Sequence, residues 1–365
     1  MKVLLVWPRF KSRGRESVPL GLLKLATWYR RQGADVCLKR DIRPLIDERP
    51  DLVLVSSLFT WAWHPVVEQM RLVQSAWPEV GVQVGGIYAT LMPDHVEAQT
   101  GIRPHVGLHE AEHCPPAWDL WPGDTSVTFA SRGCIRRCPW CSVAIHDGPE
   151  FCPRPIDEVL ACIDSERPKV ELWDNNILAH PGFEALAEAL ITQGKRVEIR
   201  QGLDARLVTR ENATLVRHLR GRYVYLAYDH GGQREAVERA IAYLREAGVP
   251  GSHILVYVLY NFYDPATGRG DTPTEIYQRV NDICCWGACA YPIRYRPVTI
   301  TNKAFVSPLW DEHELWLFNR ARGDASNGTG VIHLDHFDIE EYCQRRAEYA
   351  RERQGTMLLG ETYDT

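Results

Sequence analysis

The segment Ser131-Arg-Gly-Cys-Ile-Arg-Arg-Cys-Pro-Trp-Cys-Ser142 places three cysteines, Cys134, Cys138 and Cys141, in a Cys-x3-Cys-x2-Cys pattern. Three thiolates within eight residues can hold three irons of a [4Fe-4S] cluster, because sulfur is a soft ligand and a tight loop brings the side chains together. The fourth iron then lacks a protein ligand and can bind a substrate directly, much as a catalytic zinc site keeps one position open. The pattern therefore predicts a cluster with one open iron.

A zinc site is the first alternative to this interpretation. Structural zinc needs four ligands, usually two Cys-x2-Cys pairs, and only His146 and Cys152 follow closely enough to be the fourth. Disulfides are disfavoured, because the chain has 11 cysteines, an odd number, and its N-terminal apolar run is too short for a signal peptide. A non-catalytic zinc or iron-sulfur binding module stays open as an alternative to an enzyme.

The cysteine segment resembles the signature of the radical S-adenosylmethionine (SAM) superfamily, which has this spacing and an aromatic residue before the last cysteine, here Trp140. The resemblance implies that the amino and carboxylate groups of SAM bind the open iron and that one electron cleaves SAM to methionine and a 5'-deoxyadenosyl radical. The radical then removes a hydrogen atom from an inert carbon of a substrate. Trp140 is expected beside the adenine, and a one-electron reductant such as flavodoxin or ferredoxin is the expected partner.

Length and composition are those of an ordinary globular protein. The chain has 365 residues, of which 45% are hydrophobic and 24% charged, enough for two domains with full cores. A net charge of -5 argues against a large nucleic-acid surface, and no apolar run approaches the length of a membrane span. Because the thiols are expected to stay reduced, we expect a cytoplasmic protein.

The N-terminal third predicts an open α/β domain over residues 1–112. Buried strands are expected at 2–7, 35–38, 52–56 and 80–84, with helices starting at Pro19 and Pro65 between them. This alternation predicts a doubly wound parallel sheet, whose ligands bind beyond the carboxyl ends of the strands.

This domain resembles the cobalamin-binding-like domain found in front of many radical SAM proteins. The resemblance is carried by Pro19-Leu-Gly-Leu-Leu, Ser56-Ser-Leu-Phe-Thr60 and Gly85-Gly-Ile-Tyr-Ala-Thr90, and it implies cobalamin contacts at Ser56, Ser57, Gly85 and Gly86. The family's Asp-x-His-x-x-Gly motif is absent, since no histidine precedes His64. A domain that binds cobalamin without this ligand and one that has lost cobalamin both stay open.

A Pro-rich linker is predicted at 113–125, followed by a partial (β/α)6 radical SAM barrel over 126–300. Its six strands are expected at 127–130, 170–173, 197–200, 223–227, 254–260 and 291–296. Residues 301–365 are expected to form a C-terminal helical extension that includes Trp310, Trp316 and Phe318 and a charged helix through Glu340, Tyr349 and Glu352.

Polar residues that follow the predicted strands are the remaining candidates, because such barrels carry their reactive groups at the carboxyl ends of the strands. By resemblance, the SAM contacts or their supports are Asp174, Asn175 and Asn176, and strand-end position adds Gln201, Asp204 and Asp229. Capping or turn hydrogen bonds are the alternative for each of these six. Arg294 and Arg296 are expected on one face, either to receive a carboxylate or phosphate or to pair with a neighbouring carboxylate.

The other cysteines have no assigned chemistry. Cys284, Cys285 and Cys289 are expected on a helix as buried thiols, and the role of Cys152, just after the cluster loop, stays open. The sequence is thus interpreted as a radical SAM enzyme that functionalises a C-H bond, with cobalamin-dependent methyl transfer as one outcome and a non-methylating radical reaction without cobalamin as the alternative. The substrate is not indicated by any motif.

Overall fold

The computed structural model describes residues 1–10, 17–45, 47–302, 304–326, 329–332, 340–341, 344 and 347–348. The chain forms two compact units. Unit 1 comprises residues 1–201, 219–221 and 297–303, and unit 2 comprises residues 202–218, 222–296 and 304–365.

Unit 1 begins with a parallel sheet of four strands in the order β2-β1-β3-β4. The strands are β1 (Lys2–Val6), β2 (Asp35–Lys39), β3 (Leu52–Ser57) and β4 (Gly81–Gly86), and the helices are α1 (Leu20–Arg31), α2 (His64–Ala76), α3 (Ile87–Leu91) and α4 (Pro93–Thr100). The predicted N-terminal strands and helices are confirmed to within two residues at most ends. The sheet is doubly wound because successive strand residues face opposite sides: Leu4 and Val55 pack with Met70 of α2, whereas Leu5 and Leu54 belong to a second core that contains Leu22 of α1.

A second parallel sheet in unit 1 has the order β5-β8-β9. Its strands are β5 (Thr125–Thr128), β8 (Lys169–Leu172) and β9 (Arg196–Ile199), and two short antiparallel strands, β6 (Ser131–Arg132) and β7 (Cys152–Pro153), lie between β5 and β8 in the chain. The helices of this part are α5 (Val143–His146), α6 (Ile156–Ala161) and α7 (Phe183–Thr192).

Unit 2 contains a parallel sheet in the order β10-β11-β14. Its strands are β10 (Val224–Ala227), β11 (Ile254–Tyr260) and β14 (Cys289–Arg294), with a short hairpin of β12 (Tyr263–Asp264) and β13 (Arg269–Gly270). The helices are α8 (Arg210–His218), α9 (Arg234–Glu246), α10 (Pro273–Cys285) and α11 (Glu312–Ala325). Thr272 caps α10 in the capping-box arrangement with Glu275 expected from the Thr-Pro-Thr-Glu segment.

The six strands expected for the barrel are all present, as two three-stranded parallel sheets, one in each unit. Residues 1–112 and 126–201 belong to the same unit, and the division at 113–125 stays a prediction. That segment is not an extended connector. A short 3-10 turn at Glu110–His113 ends at its first residue, a second turn lies at Trp118–Leu120, and Ala117 is buried in the core that contains Leu22.

The start of the C-terminal extension is helical, as predicted, because α11 spans Glu312–Ala325. Residues 340–341, 344 and 347–348 are also helical, whereas Tyr349 and Glu352 lie outside the described residues. Within the described part of the chain, no helix combines the length and the apolarity that a bilayer crossing requires.

Candidate metal centre

The cysteine loop leaves the carboxyl end of β5 and is closed at its base by β6 and β7. In this two-residue antiparallel ladder Ser131 faces Pro153 and Arg132 faces Cys152. The three cysteines therefore stand on a loop whose two ends are joined, at the edge where a parallel sheet presents ligand-binding groups. Cys152 is exposed on the returning strand of this base.

Gly133 allows the two ends of the loop to approach each other. Its φ is +71°, and a Cβ added there would overlap the carbonyl oxygen of Glu150. A side chain at this position is therefore excluded by both conformation and space. The residue before the first cysteine must be glycine if the loop is to close in this way.

Asp174 holds the start of the loop. Its carboxylate accepts hydrogen bonds from the backbone N-H of Ala130 at 3.0 Å, the backbone N-H of Ser131 at 2.5 Å and the Ser131 hydroxyl at 2.6 Å. Burial raises the pKa of Asp174, and these three donors act in the opposite direction. Because Asp174 follows β8, the contact ties the carboxyl end of β8 to that of β5.

Asn175 and Asn176, which follow Asp174, also contact the cysteine loop. Asn175 Nδ2 donates to Asp147 Oδ2 at 2.7 Å, and Asn176 Nδ2 lies 3.8 Å from Cys134 Sγ. The backbone N-H of Arg136 lies 3.3 Å from the same sulfur. Donors of this kind orient a sulfur that would bind metal. The contact of Asp174, Asn175 and Asn176 with SAM stays a prediction.

The donor set fits an iron-sulfur cluster. Cys134 and Cys138 are partly exposed and Cys141 is exposed, and the backbone N-H of Cys141 donates to the carbonyl oxygen of Cys138 at 3.0 Å, which closes a turn between them. Soft sulfur ligands with access to solvent suit cluster assembly. Trp140 is partly exposed next to the last thiol. In the described residues, no three His, Cys, Asp or Glu side chains are grouped to hold a single metal ion.

A buried charge network that the sequence analysis missed connects the loop to α1. Lys24 Nζ donates to Glu112 Oε1 at 2.7 Å, and Arg132 donates to Glu112 at 2.8–2.9 Å. Arg132 also lies 3.5 Å from Asp147, the residue that accepts from Asn175. We call these four residues, Lys24, Glu112, Arg132 and Asp147, the loop network.

Solvent is largely excluded from the loop network. The side chain of Lys24 is 1% exposed, that of Asp147 is 2% and that of Glu112 is 12%. Burial lowers the pKa of Lys24, although Glu112 acts in the opposite direction. Burial opposes the ionisation of Glu112, but the charges of Arg132 and Lys24 outweigh it and lower the pKa of Glu112. The sequence contains one signal of this network: Arg132 and Asp147, which have opposite charges, stand on either side of the three cysteines.

The predicted cobalamin loops lie at the carboxyl end of the first sheet. Ser57 is buried, and its hydroxyl donates to the carbonyl oxygen of Gly85 at 2.8 Å and accepts from the backbone N-H of Ala89 at 3.0 Å. Gly86 has a φ of +105°, and a Cβ there would overlap the carbonyl oxygen of Ser57. Ser57 and Gly86 therefore shape the junction of β3, β4 and α3, while Ser56 and Gly85 are partly exposed.

Apolar side chains are exposed around this junction. Phe59 stacks on Trp61 with ring centroids 4.8 Å apart, and Phe10 contacts Phe59 edge-on. Trp61 is 43% exposed and Ile87 is 37% exposed. Helix α3 also contacts α5, which follows the cysteine loop. The carboxyl end of the first sheet thus lies next to the loop and presents a flat aromatic surface.

The other predicted site residues are distributed between the units. Gln201 is exposed after β9 in unit 1. In unit 2, Asp204 binds Arg206 Nε at 2.6 Å and caps a 3-10 turn. Asp229 follows β10, where burial raises its pKa to about 6 against the opposing charge of Arg279.

The three cysteines near the end of α10, Cys284, Cys285 and Cys289, are in unit 2. Cys284 and Cys289 are buried, as predicted, but Cys285 is exposed, which corrects the expectation of three buried thiols. Cys289 begins β14 and does not continue the helix, because α10 ends at Cys285 and Gly287 follows with a φ of +72°.

Comparison with known proteins identifies the fold. No family model matches the sequence, and no curated protein matches it significantly. Two solved structures of the radical SAM methyltransferase TsrM from Kitasatospora setae do match. The one with cobalamin and a [4Fe-4S] cluster bound is 17% identical, with a TM-score of 0.64 over 82% of this chain and 77% of that chain. The one with tryptophan substrate and the SAM analogue aza-SAM bound is 16% identical, with a TM-score of 0.63 over 88% of this chain and 76% of that chain. The chain therefore has the fold of the radical SAM methyltransferase TsrM.

Proposed function

We propose that the protein is a radical SAM enzyme that binds a [4Fe-4S] cluster through Cys134, Cys138 and Cys141. The observation that carries the proposal is the cysteine loop itself: three thiols with cluster spacing stand at the carboxyl end of a parallel strand in a chain with the TsrM fold. We further propose that residues 1–112 act as a cobalamin-binding-like domain and residues 126–300 as the radical SAM domain, and that the reaction is methyl transfer to a carbon of an organic substrate.

The chain's own residues would position and protect the reacting groups. When bound, the reduced cluster supplies the electron that splits SAM into methionine and a 5'-deoxyadenosyl radical, and cobalamin supplies a carrier for the methyl group. Asp174 and Gly133 fix the start of the loop, and Asn176 and the N-H of Arg136 donate toward Cys134. Trp140 would lie beside the adenine of SAM. The buried side chains of the loop network exclude water from the base of the loop. Polar contacts there are stronger because the local dielectric is low.

The aromatic surface supports the cobalamin part of the proposal. A corrin is a large, flat and mostly apolar ring, and Phe59 and Trp61 offer a stacked aromatic face of matching character beside the cysteine loop. TsrM has been solved with cobalamin bound. Because no histidine precedes His64, cobalt would be bound here without a histidine from the first loop.

That missing histidine also favours the second candidate, a radical SAM enzyme that has lost cobalamin. Incubation with hydroxocobalamin followed by gel filtration separates the two. We expect the wild-type chain to retain corrin and Trp61→Ala to retain at least tenfold less, while Trp316→Ala, which removes a tryptophan of similar exposure from unit 2, retains it fully. Wild-type protein without bound corrin would favour the second candidate.

The central test is reductive cleavage of SAM. After anaerobic reconstitution with iron and sulfide, dithionite and SAM should yield 5'-deoxyadenosine with the wild-type chain and none with Cys138→Ala. Cys285→Ala is the matched control, because it removes an exposed thiol from α10 and should leave the yield unchanged. Tightly bound zinc and no nucleoside would instead support a zinc-binding module.

A further inference from the structure

Three arginines surround one buried tyrosine in unit 2. Tyr260 ends β11, and its strand partner in the register is Arg294, which ends β14. Arg296 follows two residues later and Arg322 lies on α11. These three arginines are the charged groups that act on the Tyr260 hydroxyl. The hydroxyl itself donates to Asn319 Oδ1 at 2.7 Å.

None of the three guanidinium groups is paired with an acid among the described residues. Arg294 donates to the carbonyl oxygen of Phe305 at 2.6 Å, and Arg322 donates to that of Pro292 at 2.8 Å. Their Nε atoms are buried and have no hydrogen-bond partner. No hydrogen bond or ion pair joins Arg296 to a described residue, and the positive charge of Arg294 acts on it.

Such a cluster is unfavourable without a ligand. Like charges repel more strongly where solvent is scarce, and a buried N-H without an acceptor loses its hydrogen bonds to water. Other arginines of the described chain avoid this cost by pairing with an acid: Arg30, Arg132 and Arg234 each bind a carboxylate. Both costs disappear when an anion with several oxygens binds between the guanidinium groups.

We propose that Arg294, Arg296 and Arg322 form a binding site for a small oxyanion, a carboxylate or a phosphate group. Guanidinium groups present planar pairs of N-H donors that match the oxygens of either group. The cluster lies at the carboxyl ends of β11 and β14, which is the edge where parallel α/β sheets bind ligands. In the proposed enzyme the oxyanion belongs to the substrate, and this last step rests on the proposed function.

The test is anion binding without SAM or reductant, so that its failure is independent of SAM cleavage. Inorganic phosphate and acetate are titrated separately into the anaerobically purified full chain at constant ionic strength set with chloride. We expect one of them to raise Tm saturably by about 2 °C. Arg296→Gln should weaken this binding at least tenfold. Arg222→Gln is the matched control, because Arg222 lies over the Tyr223 ring, outside the cluster, and the variant should bind like the wild type.

The same variants exclude a purely structural role of the cluster. Without added anion, Arg296→Gln should have a Tm equal to or above that of the wild type, because it removes repulsion and breaks no contact. A preference for phosphate or for acetate identifies the group of the ligand. The proposal is wrong if neither anion stabilises the wild type more than chloride does, or if Arg222→Gln weakens binding as much as Arg296→Gln.

Discussion

Two glycines near the cysteine loop have similar backbone conformations and different surroundings. Gly133, at the start of the loop, has a φ of +71°, and Gly148, near its end, has a φ of +94°. A Cβ at Gly133 would overlap the carbonyl oxygen of Glu150, whereas a Cβ at Gly148 would have no neighbour within 4 Å. The pair separates the cost of backbone strain from the cost of steric overlap.

We expect Gly148→Ala to lower the free energy of unfolding by about 1–2 kcal/mol, which is the usual penalty for an L-residue in the left-handed region. Gly133→Ala must in addition open the base of the loop, and we expect a loss above about 3 kcal/mol together with a reduced iron content. Urea unfolding and iron analysis of the two reconstituted variants measure both quantities. Equal stability and equal iron content in the two variants would contradict the role assigned to Gly133.

Helix α1 and the cysteine loop are joined through Glu112, which lies in the segment that precedes β5. Glu112 accepts from Lys24 on α1 and from Arg132 at the base of the loop, and all three side chains are at most 15% exposed. Asp119 in the same segment also binds an arginine of α1, Arg30, but this pair is 61% and 38% exposed. Glu112 and Asp119 thus make comparable ion pairs with α1, one shielded from solvent and one exposed to it.

Removal of the Glu112 charge should be far more damaging than removal of the Asp119 charge. Glu112→Gln leaves Lys24 and Arg132 buried with like charge, and we expect the free energy of unfolding to fall by about 3–5 kcal/mol. Asp119→Asn should cost less than about 1 kcal/mol because water screens that pair. Urea unfolding measures both changes. If the two variants were equally stable, the loop network would not support the loop.

Unit 2 makes the stability of the molecule depend on pH through Asp229 and Asp271, which both act on Arg279. Burial raises the pKa of each carboxyl to about 6. The folded chain therefore binds more protons than the unfolded chain between about pH 4 and pH 6. The destabilising effect of the two ionised carboxylates is absent below this window and complete above it, so stability falls as pH rises through the window.

We expect Asp229→Asn to raise the free energy of unfolding at pH 7.5 by about 1 kcal/mol and to flatten its decrease between pH 5 and pH 6.5. The expected change is small because the Asp229 side chain is partly exposed and water screens its charge. Glu235→Gln, an exposed change on α9, is the control and should shift stability by less than about 0.5 kcal/mol. If the free energy of unfolding of Asp229→Asn fell with pH as steeply as that of the wild type, Asp229 would not titrate in this range.

Short-range patterns were sufficient for the positions of the strands and helices and for the three candidate cluster ligands. Buried parallel strands are marked by short apolar runs, as at β1, and helix burial repeats about every 3.6 residues. The cysteine spacing lies within one loop, so each signal is contained in a short segment. The strand ends shifted by one or two residues, as at β5 and β14, because hydrogen-bond register with the neighbouring strand sets them. The prediction of a helix through Cys289 is wrong because Gly287, with its positive φ, follows the end of α10, and Cys289 then pairs with β11.

Contacts between distant segments required the folded chain. Lys24 and Glu112 are 88 residues apart, and Arg322 reaches the carbonyl oxygen of Pro292 across 30 residues. In the sequence Lys24 is one charged residue in an amphipathic helix and Glu112 is one acid in a Pro-rich stretch. The choice of partner for each charge depends on which elements pack together, and whether the partnership is strong depends on how much water that packing removes. Neither the partner of a charge nor the exclusion of water around the pair can be predicted from a local pattern of residues, because both arise from packing among segments that are remote in the chain.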